Sequence, residues 1–220
     1  MNNQKKNIII IGRGAIGLKI AQRLEMNHKI KIIDLKKPLN INHFQCDLTN
    51  NEEVKQTFNM LSKEFKKIDI LIFAAGKVQF KPMLHTNPSE VQDLMNINYI
   101  SVWNCLHAAS PLLMKSKFPL IININSISEY LTLEENSTYA ASKVATSKLL
   151  EIFTEENKKI KLSQIYLGAV KSKAWVKYPS FKQKNMIDPK YVANMIEWII
   201  THSQLMHLVK IQMTPLKGVL

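Results

Sequence analysis

At 220 residues, 46% hydrophobic and 21% charged, the chain is long enough for one well-filled core and short for two, so a single domain over residues 1–220 is expected. No run of about 18 uncharged apolar residues occurs, which excludes a membrane-spanning helix, and the basic start Met1 to Lys6 leads into an apolar stretch too short for a signal peptide. The formal charge of +13 is spread as short pairs such as Lys36-Lys37, Lys66-Lys67 and Lys158-Lys159 with acidic residues between them, the pattern of a solvated basic surface and not of a nucleic-acid groove.

Residues 7–11 form a β-branched run that enters Gly12-Arg13-Gly14-Ala15-Ile16-Gly17, followed by the helical pattern Ile16, Ile20, Leu24. Strand, glycine turn and helix in this order match G-x-G-x-x-G, in which the glycines permit a tight turn, close approach to a pyrophosphate and tight helix packing. A second strand, 29–33, ends in Asp34 and Leu35, at the distance where an acidic residue meets the adenosine ribose. A carboxylate there bonds the ribose hydroxyls of NAD and repels the extra phosphate of NADP. NAD(H) is therefore favoured. Arg13, Lys36 and Lys37 keep NADP(H) in play, because cations at these places accommodate a 2′-phosphate.

Residues 42–46 make a short third strand, and Asp47-Leu48-Thr49 opens a turn before a helix capped by Asn50 or Asn51 and running to about residue 66. Asp47 suits either an adenine amino group or turn chemistry alone. The apolar strand 69–74 has the continuous hydrophobicity of a sheet covered on both faces and ends in small residues, Ala74-Ala75-Gly76, that admit a ligand. A long helical region over 88–117 is expected to break or end near Pro111. The fifth strand, 120–124, brings Asn125 and Ser126 to its edge.

The next helix, capped by Asn136 or Ser137 and running to about 157, carries Tyr139 and Lys143 four residues apart, so a phenol and an ammonium share one side. The cation favours the phenolate and draws the phenol's pKa down, which suits acid-base chemistry near neutral pH. Tyr178 and Lys182 repeat the spacing, but Pro179 argues against a helix there. The apolar stripe Ala141, Ala145, Leu149 and Ile152 serves for pairing of chains or for packing on the sheet. A sixth strand over 160–167 ends at Gly168. Residues 171–187 are polar and irregular, a mobile flap over a site, with Trp175, Tyr130 and Phe80 as guesses for the pocket lining. A helix from Asp188-Pro189 to about 202 and a strand over 208–213 close the chain. The alternation implies a Rossmann-like, doubly wound parallel sheet of about seven strands with helices on both faces. Cys46 and Cys105 are too few for a disulfide framework and point to a reducing cytoplasm. The six histidines show no metal-ligand spacing, and no metal is expected.

Taken in order, these features resemble the short-chain dehydrogenase/reductase family over nearly the whole chain. The glycine turn, Asp34, Asp47, Ala74-Ala75-Gly76, Asn98, Ser126 placed 13 residues before Tyr139, and the stretch Leu167 to Ser172 all fall in the family's sequence. The second tyrosine lacks the serine: Ile165 stands at that interval. The resemblance implies that Tyr139 is general acid and base toward a carbonyl or alcohol, that Lys143 holds the nicotinamide ribose, and that Ser126 bonds the substrate oxygen. It implies that Asn98 holds a water linking Lys143 to solvent, although apart from the resemblance satisfying backbone groups in a helix kink is the favoured account of an asparagine there. Gly168, Val170 and Ser172 are implied to meet the nicotinamide carboxamide. The partner is then a small-molecule carbonyl or alcohol, and a homodimer or homotetramer is implied. Four departures stand out. The turn is one residue short, with Ile11 before its first glycine; Phe73 replaces an asparagine, Leu167 a proline and Ser172 a threonine. The shortened turn also resembles dihydropteridine reductases, which lack the serine. A non-enzymatic NAD(P)-binding regulator is the further alternative.

Overall fold

The computed structural model describes residues 5–218, and its β-branched runs form seven strands: β1 (Asn7–Ile11), β2 (Lys29–Asp34), β3 (His43–Gln45), β4 (Ile70–Phe73), β5 (Leu120–Ser126), β6 (Lys161–Leu167) and β7 (Lys210–Met213). They pair in parallel as one sheet in the order β3-β2-β1-β4-β5-β6-β7. The chain order reverses between β1 and β4, the place where such sheets open a ligand crevice at their C-terminal edge.

Six helices accompany the sheet: α1 (Ala15–Leu24), α2 (Asn51–Glu64), α3 (Pro88–Met95), α4 (Ser101–Leu113), α5 (Ser137–Glu156) and α6 (Pro189–His202). Strand side chains alternate between faces, which explains the isoleucine run of β1. Ile8 and Ile10 pack with Ile20 of α1 and Ile196 of α6 on one face. Ile9 and Ile11 pack with Phe58 of α2 and Leu106 of α4 on the other. The result is the three-layer arrangement that the alternation of elements implies.

Local chemistry sets the helix boundaries. Asn50 caps α2 by accepting from the N–H groups of Glu52 and Glu53, a contact worth about 1 kcal/mol. Asn87 and Glu90 form a reciprocal capping box at the start of α3. The 88–117 region does end near Pro111, at Leu113, but its irregularity lies upstream of the expected place: Asn96–Ile100 is a π turn joining α3 to α4. Pro111 is absorbed inside α4 near its end, where the carbonyl of His107 accepts from Ser110 Oγ at 2.9 Å.

One expectation for α5 needs correction. Asn136 occupies the cap position, yet its side chain caps nothing: it is buried, and neither amide atom has a partner among the described residues. The face that α5 turns inward is polar, with Ser142, Lys143, Thr146, Ser147 and Leu150 buried. Ala145, Leu149 and Ile152 line a groove against Tyr99 and Trp103, and Leu149 also packs against the core. The inward polar face is satisfied by an unusual layer of buried amides. Asn123, opposite Phe73 in the sheet, donates to Gln164 Oε1 at 3.0 Å, and Gln164 Nε2 donates to Ser147 Oγ at 2.7 Å. An apolar Phe73 is thus accommodated with amide pairing placed on the two strands beyond it.

Candidate active site

The turn after β1 is built so that only glycine fits at two points. Gly12 has φ +100°, and a Cβ there would lie 2.5 Å from the backbone nitrogen of Ala75; at Gly17 it would lie 2.0 Å from the carbonyl oxygen of Gly12. At Gly14 an added Cβ meets nothing within 4 Å, so the backbone is open to approach. Helix α1 then starts with no side-chain cap and no acidic residue in its first turn. Free N–H groups at the positive end of a helix, approached through an open glycine, suit a pyrophosphate. The residues present therefore fit a dinucleotide.

At the end of β2, the Asp34 carboxylate is fixed by two backbone donors, Arg13 N at 2.6 Å and Lys36 N at 2.9 Å. The Arg13 guanidinium does not pair with Asp34. It donates to the carbonyl of Lys37 and lies 3.3 Å from His43 Nδ1. Burial, and then the charge of Arg13, hold His43 below its usual pKa. Leu35 is exposed and Leu48 buried. Asp47 accepts from Thr49 N at 2.9 Å and Thr49 Oγ1 at 2.7 Å, which is turn chemistry.

Past the glycine turn, a cavity of about 180 Å³ opens at the C-terminal ends of β4, β5 and β6. Ser126, Tyr139 and Lys143 all line it, with Ile16, Ala74, Ala75, Gly76, Gly168, Val170 and Ser172. Ser126 ends β5, where its N–H is held by Asn125 Oδ1 at 2.8 Å while Asn125 Nδ2 donates to Glu129 Oε2 at 2.6 Å. The Ser126 hydroxyl donates to Ser128 Oγ at 3.0 Å and accepts from Ser128 N at 3.1 Å. Lys143 Nζ donates to the carbonyl of Ile124 at 3.0 Å. Burial pulls the Lys143 ammonium down to about 8, against the opposing charge of Glu129. Burial pushes the Tyr139 phenol up, and its hydrogen bond with Ser126 acts in the opposite sense. The influence drawing that phenol down thus comes from Ser126, while the ammonium is engaged by Ile124.

Asn98 is buried in the π turn, and its amide makes three hydrogen bonds. Oδ1 accepts from Lys77 N at 2.8 Å, and Nδ2 donates to Lys77 O at 3.0 Å and to Ser142 Oγ at 2.9 Å. Its own carbonyl accepts from Thr146 Oγ1 at 2.9 Å. The side chain therefore satisfies backbone groups beside a helix irregularity, the simpler of the two roles the sequence allows.

The sequence model of the family described as short chain dehydrogenase matches residues 6–183 of this chain. The chain belongs to that family. Among similar proteins of this short-chain dehydrogenase are an uncharacterized oxidoreductase of Saccharomyces cerevisiae, 26% identical over 79% of this chain and 62% of that protein, and an uncharacterized oxidoreductase of Staphylococcus aureus, 25% identical over 77% and 74%. The chain thus spans somewhat under two thirds of the yeast relative's length. Among solved structures, the aldohexose dehydrogenase of Thermoplasma acidophilum superposes with a TM-score of 0.86 at 18% identity, covering 96% of this chain and 93% of that one. The alcohol dehydrogenase of Thermococcus sibiricus, complexed with 5-hydroxy-NADP, gives 0.86 at 18% identity and 98% of both chains. At such identities the likeness is one of fold.

In this short-chain dehydrogenase, the 171–187 segment differs from its expected form. It contains two 3₁₀ turns, and its ends are joined by a parallel bridge between Val170 and Ile187. Trp175 is buried, donates from Nε1 to the carbonyl of Val170 at 2.8 Å, and clusters with Phe80, Tyr178 and Phe181. Trp175 and Phe80 line the cavity as guessed. Tyr130 does not: its ring lies 4.6 Å from that of Tyr166. Tyr178 ties the segment down by accepting from Phe80 N at 3.1 Å, and lies outside the cavity lining. Sequence reasoning missed Ser128, whose place two residues after Ser126 was the available signal, and Lys77, which follows the small-residue stretch directly. It also missed Glu129, for which four-residue spacing from Asn125 gave no warning outside a helix.

Proposed function

We propose that the chain is an NAD(P)-dependent oxidoreductase interconverting a carbonyl compound and an alcohol. The observation that carries this reading is the convergence of Ser126, Tyr139 and Lys143 on one cavity beside the uncapped start of α1. A bound nicotinamide supplies or accepts the hydride. Tyr139 gives its proton to the substrate oxygen in reduction and takes it in oxidation. Ser126, held by Asn125 and Ser128, donates to that oxygen and stabilises charge developing on it. Lys143, with a pKa of about 8, exchanges protons near neutral pH and holds the nicotinamide ribose hydroxyls. The acceptor position left on Asn98 Oδ1, beyond its bond from Lys77 N, supports a water there that links Lys143 to solvent.

For the cofactor, Asp34 supports NAD. Its carboxylate is held at the end of β2 by two N–H groups, and the Arg13 guanidinium is engaged by the carbonyl of Lys37. Pairing through the outward faces of α4 and α5 accounts for the apolar groove containing Trp103, Leu149 and Ile152, and a homodimer or homotetramer is proposed. The test of the reading is direct: titrate NADH and NADPH by fluorescence, then follow NADH oxidation against aldehydes and ketones. Binding of NADH at micromolar concentrations and loss of turnover by at least about a hundredfold in Tyr139→Phe are expected. Turnover undiminished in that variant removes the mechanism, and failure of both cofactors to bind removes the function.

A further inference from the structure

The cavity has a charge that the catalytic roles do not use. Two lysines line it, Lys77 and Lys143, and no carboxylate does. Lys143 is engaged by Ile124 and belongs to the catalytic group. Lys77 sits at the exposed side of the cavity and pairs with no carboxylate among the described residues. Glu90 senses its charge, but both Glu90 oxygens are held by Lys81 Nζ at 2.6 and 2.7 Å.

The placement of Lys77 is built. Its backbone N–H and carbonyl are both clamped by the Asn98 amide, and Asn98 is fixed in turn by Ser142. That clamp orders the residue next to Gly76, whose added Cβ would lie 3.8 Å from Lys143 Nζ. A lysine is therefore anchored by its main chain at the mouth of the site, with its ammonium free for a ligand. Behind it the wall is apolar, formed by Val78, Phe80, Ala174 and Trp175. The segment over this wall adds Lys171, Lys173, Lys177, Lys182 and Lys184, has no acidic residue between 171 and 187, and forms no ion pair among the described residues.

From this geometry we infer that the substrate is an anionic carbonyl compound, with a carboxylate near the reacting carbon and an apolar, ring-sized body, and that Lys77 holds the carboxylate. The inference rests on the oxidoreductase reading above and narrows it to one class of substrate. The apolar wall takes the body, Lys77 takes the charge, and the unpaired lysines of 171–187 raise the local concentration of anions through a field that salt screens.

The test uses a matched pair, benzoylformate and its methyl ester, titrated calorimetrically into the full chain saturated with NAD⁺, beside turnover with NADH. A hydrogen bond to a carboxylate is stronger than one to a neutral ester, so the acid is expected to bind at least about tenfold more tightly than the ester. In Lys77→Met that ratio is expected to fall toward one, while NAD⁺ affinity changes by less than about threefold. Added salt is expected to lower kcat/KM for the acid more steeply than for the ester. An acid that binds no better than the ester overturns the inference, including the case in which neither binding is detectable. So does a Lys77→Met variant that weakens NAD⁺ as much as the acid, since Lys77 then serves the cofactor phosphates. If NAD⁺ binds and neutral aldehydes are reduced as well as acids, the substrate class alone is lost and the oxidoreductase reading stands. If neither NADH nor NAD⁺ binds, both fall.

Discussion

Replacing Lys143 by methionine isolates a cost that the site imposes on the fold. Burial holds the ammonium at about 8, against an ordinary 10.5. The unfolded chain keeps the proton between these two values and the native protein releases it, so stability rises with pH across this window and is lowest below it. Integrating the linkage relation between near pH 7 and about pH 10 gives a gain of roughly 2–3 kcal/mol that wild type has and Lys143→Met lacks. For a chain of this size it corresponds to about 5–10 °C in melting temperature. The loss of the hydrogen bond to Ile124 lowers the variant's stability but adds no comparable pH dependence of its own. Urea unfolding of both proteins at several pH values, followed by tryptophan fluorescence, measures the difference directly. Two stability curves that run parallel from neutral to alkaline pH would refute the claim that the native fold holds Lys143 at a depressed pKa.

Other consequences are as specific. Gly17→Ala drives a Cβ into the carbonyl of Gly12 and is expected to cost at least about 3 kcal/mol in denaturant midpoints, whereas Gly14→Ala has room and is expected to spare stability while weakening NADH binding measured by fluorescence. Asp69 is buried, which raises its pKa, but bonds from Asn7 N, Lys67 and Ser116 outweigh this and hold the carboxyl below its usual value. Its stabilisation is thus present above the unfolded pKa and lost as pH falls through the lower native value, and Asp69→Asn is expected to lose about 1–3 kcal/mol at neutral pH and flatten the acid limb of the stability curve. Trp103→Asp, on the outer face of α4, is expected to reduce the mass found by light scattering to that of one chain, and an unchanged mass removes this groove as the contact.

The sheet was legible because a parallel strand buried on both faces must be a continuous apolar run, and the runs at 7–11, 69–74 and 120–124 have no other use. Ser126 could be placed at the sheet's C-terminal edge for the same reason, whereas Tyr139 and Lys143 were placed beside it by helical spacing and by the family resemblance. What escaped was whatever depends on partners distant in sequence. On α5 the sequence does not show that Thr146 and Ser147 are buried, because Asn98 and Gln164 arrive from elsewhere to satisfy them. The π turn at Asn96–Ile100 has no local signal of the strength of Pro111, which drew the expected break downstream. The aromatic cluster in 171–187 was hidden by the lysines between its members: composition there reads as a solvated loop, while Phe80, far away in the chain, completes the packing.

The bridge between Val170 and Ile187 makes the segment it spans a loop with pinned ends. Lys171 N donates to the carbonyl of Ile187, and Ile187 N donates to that of Ala169, so the strand β6 below and the helix α6 beyond are already joined before the loop begins. The stretch between these anchors is therefore separable from the scaffold. Residues can be added or exchanged at Pro179 and Ser180, between the packed rings of Tyr178 and Phe181, without altering the distance between the catalytic edge and α6. Grafting another loop between Ser172 and Met186 would rewrite which molecules reach the site and leave Ser126, Tyr139 and Lys143 beneath it in place.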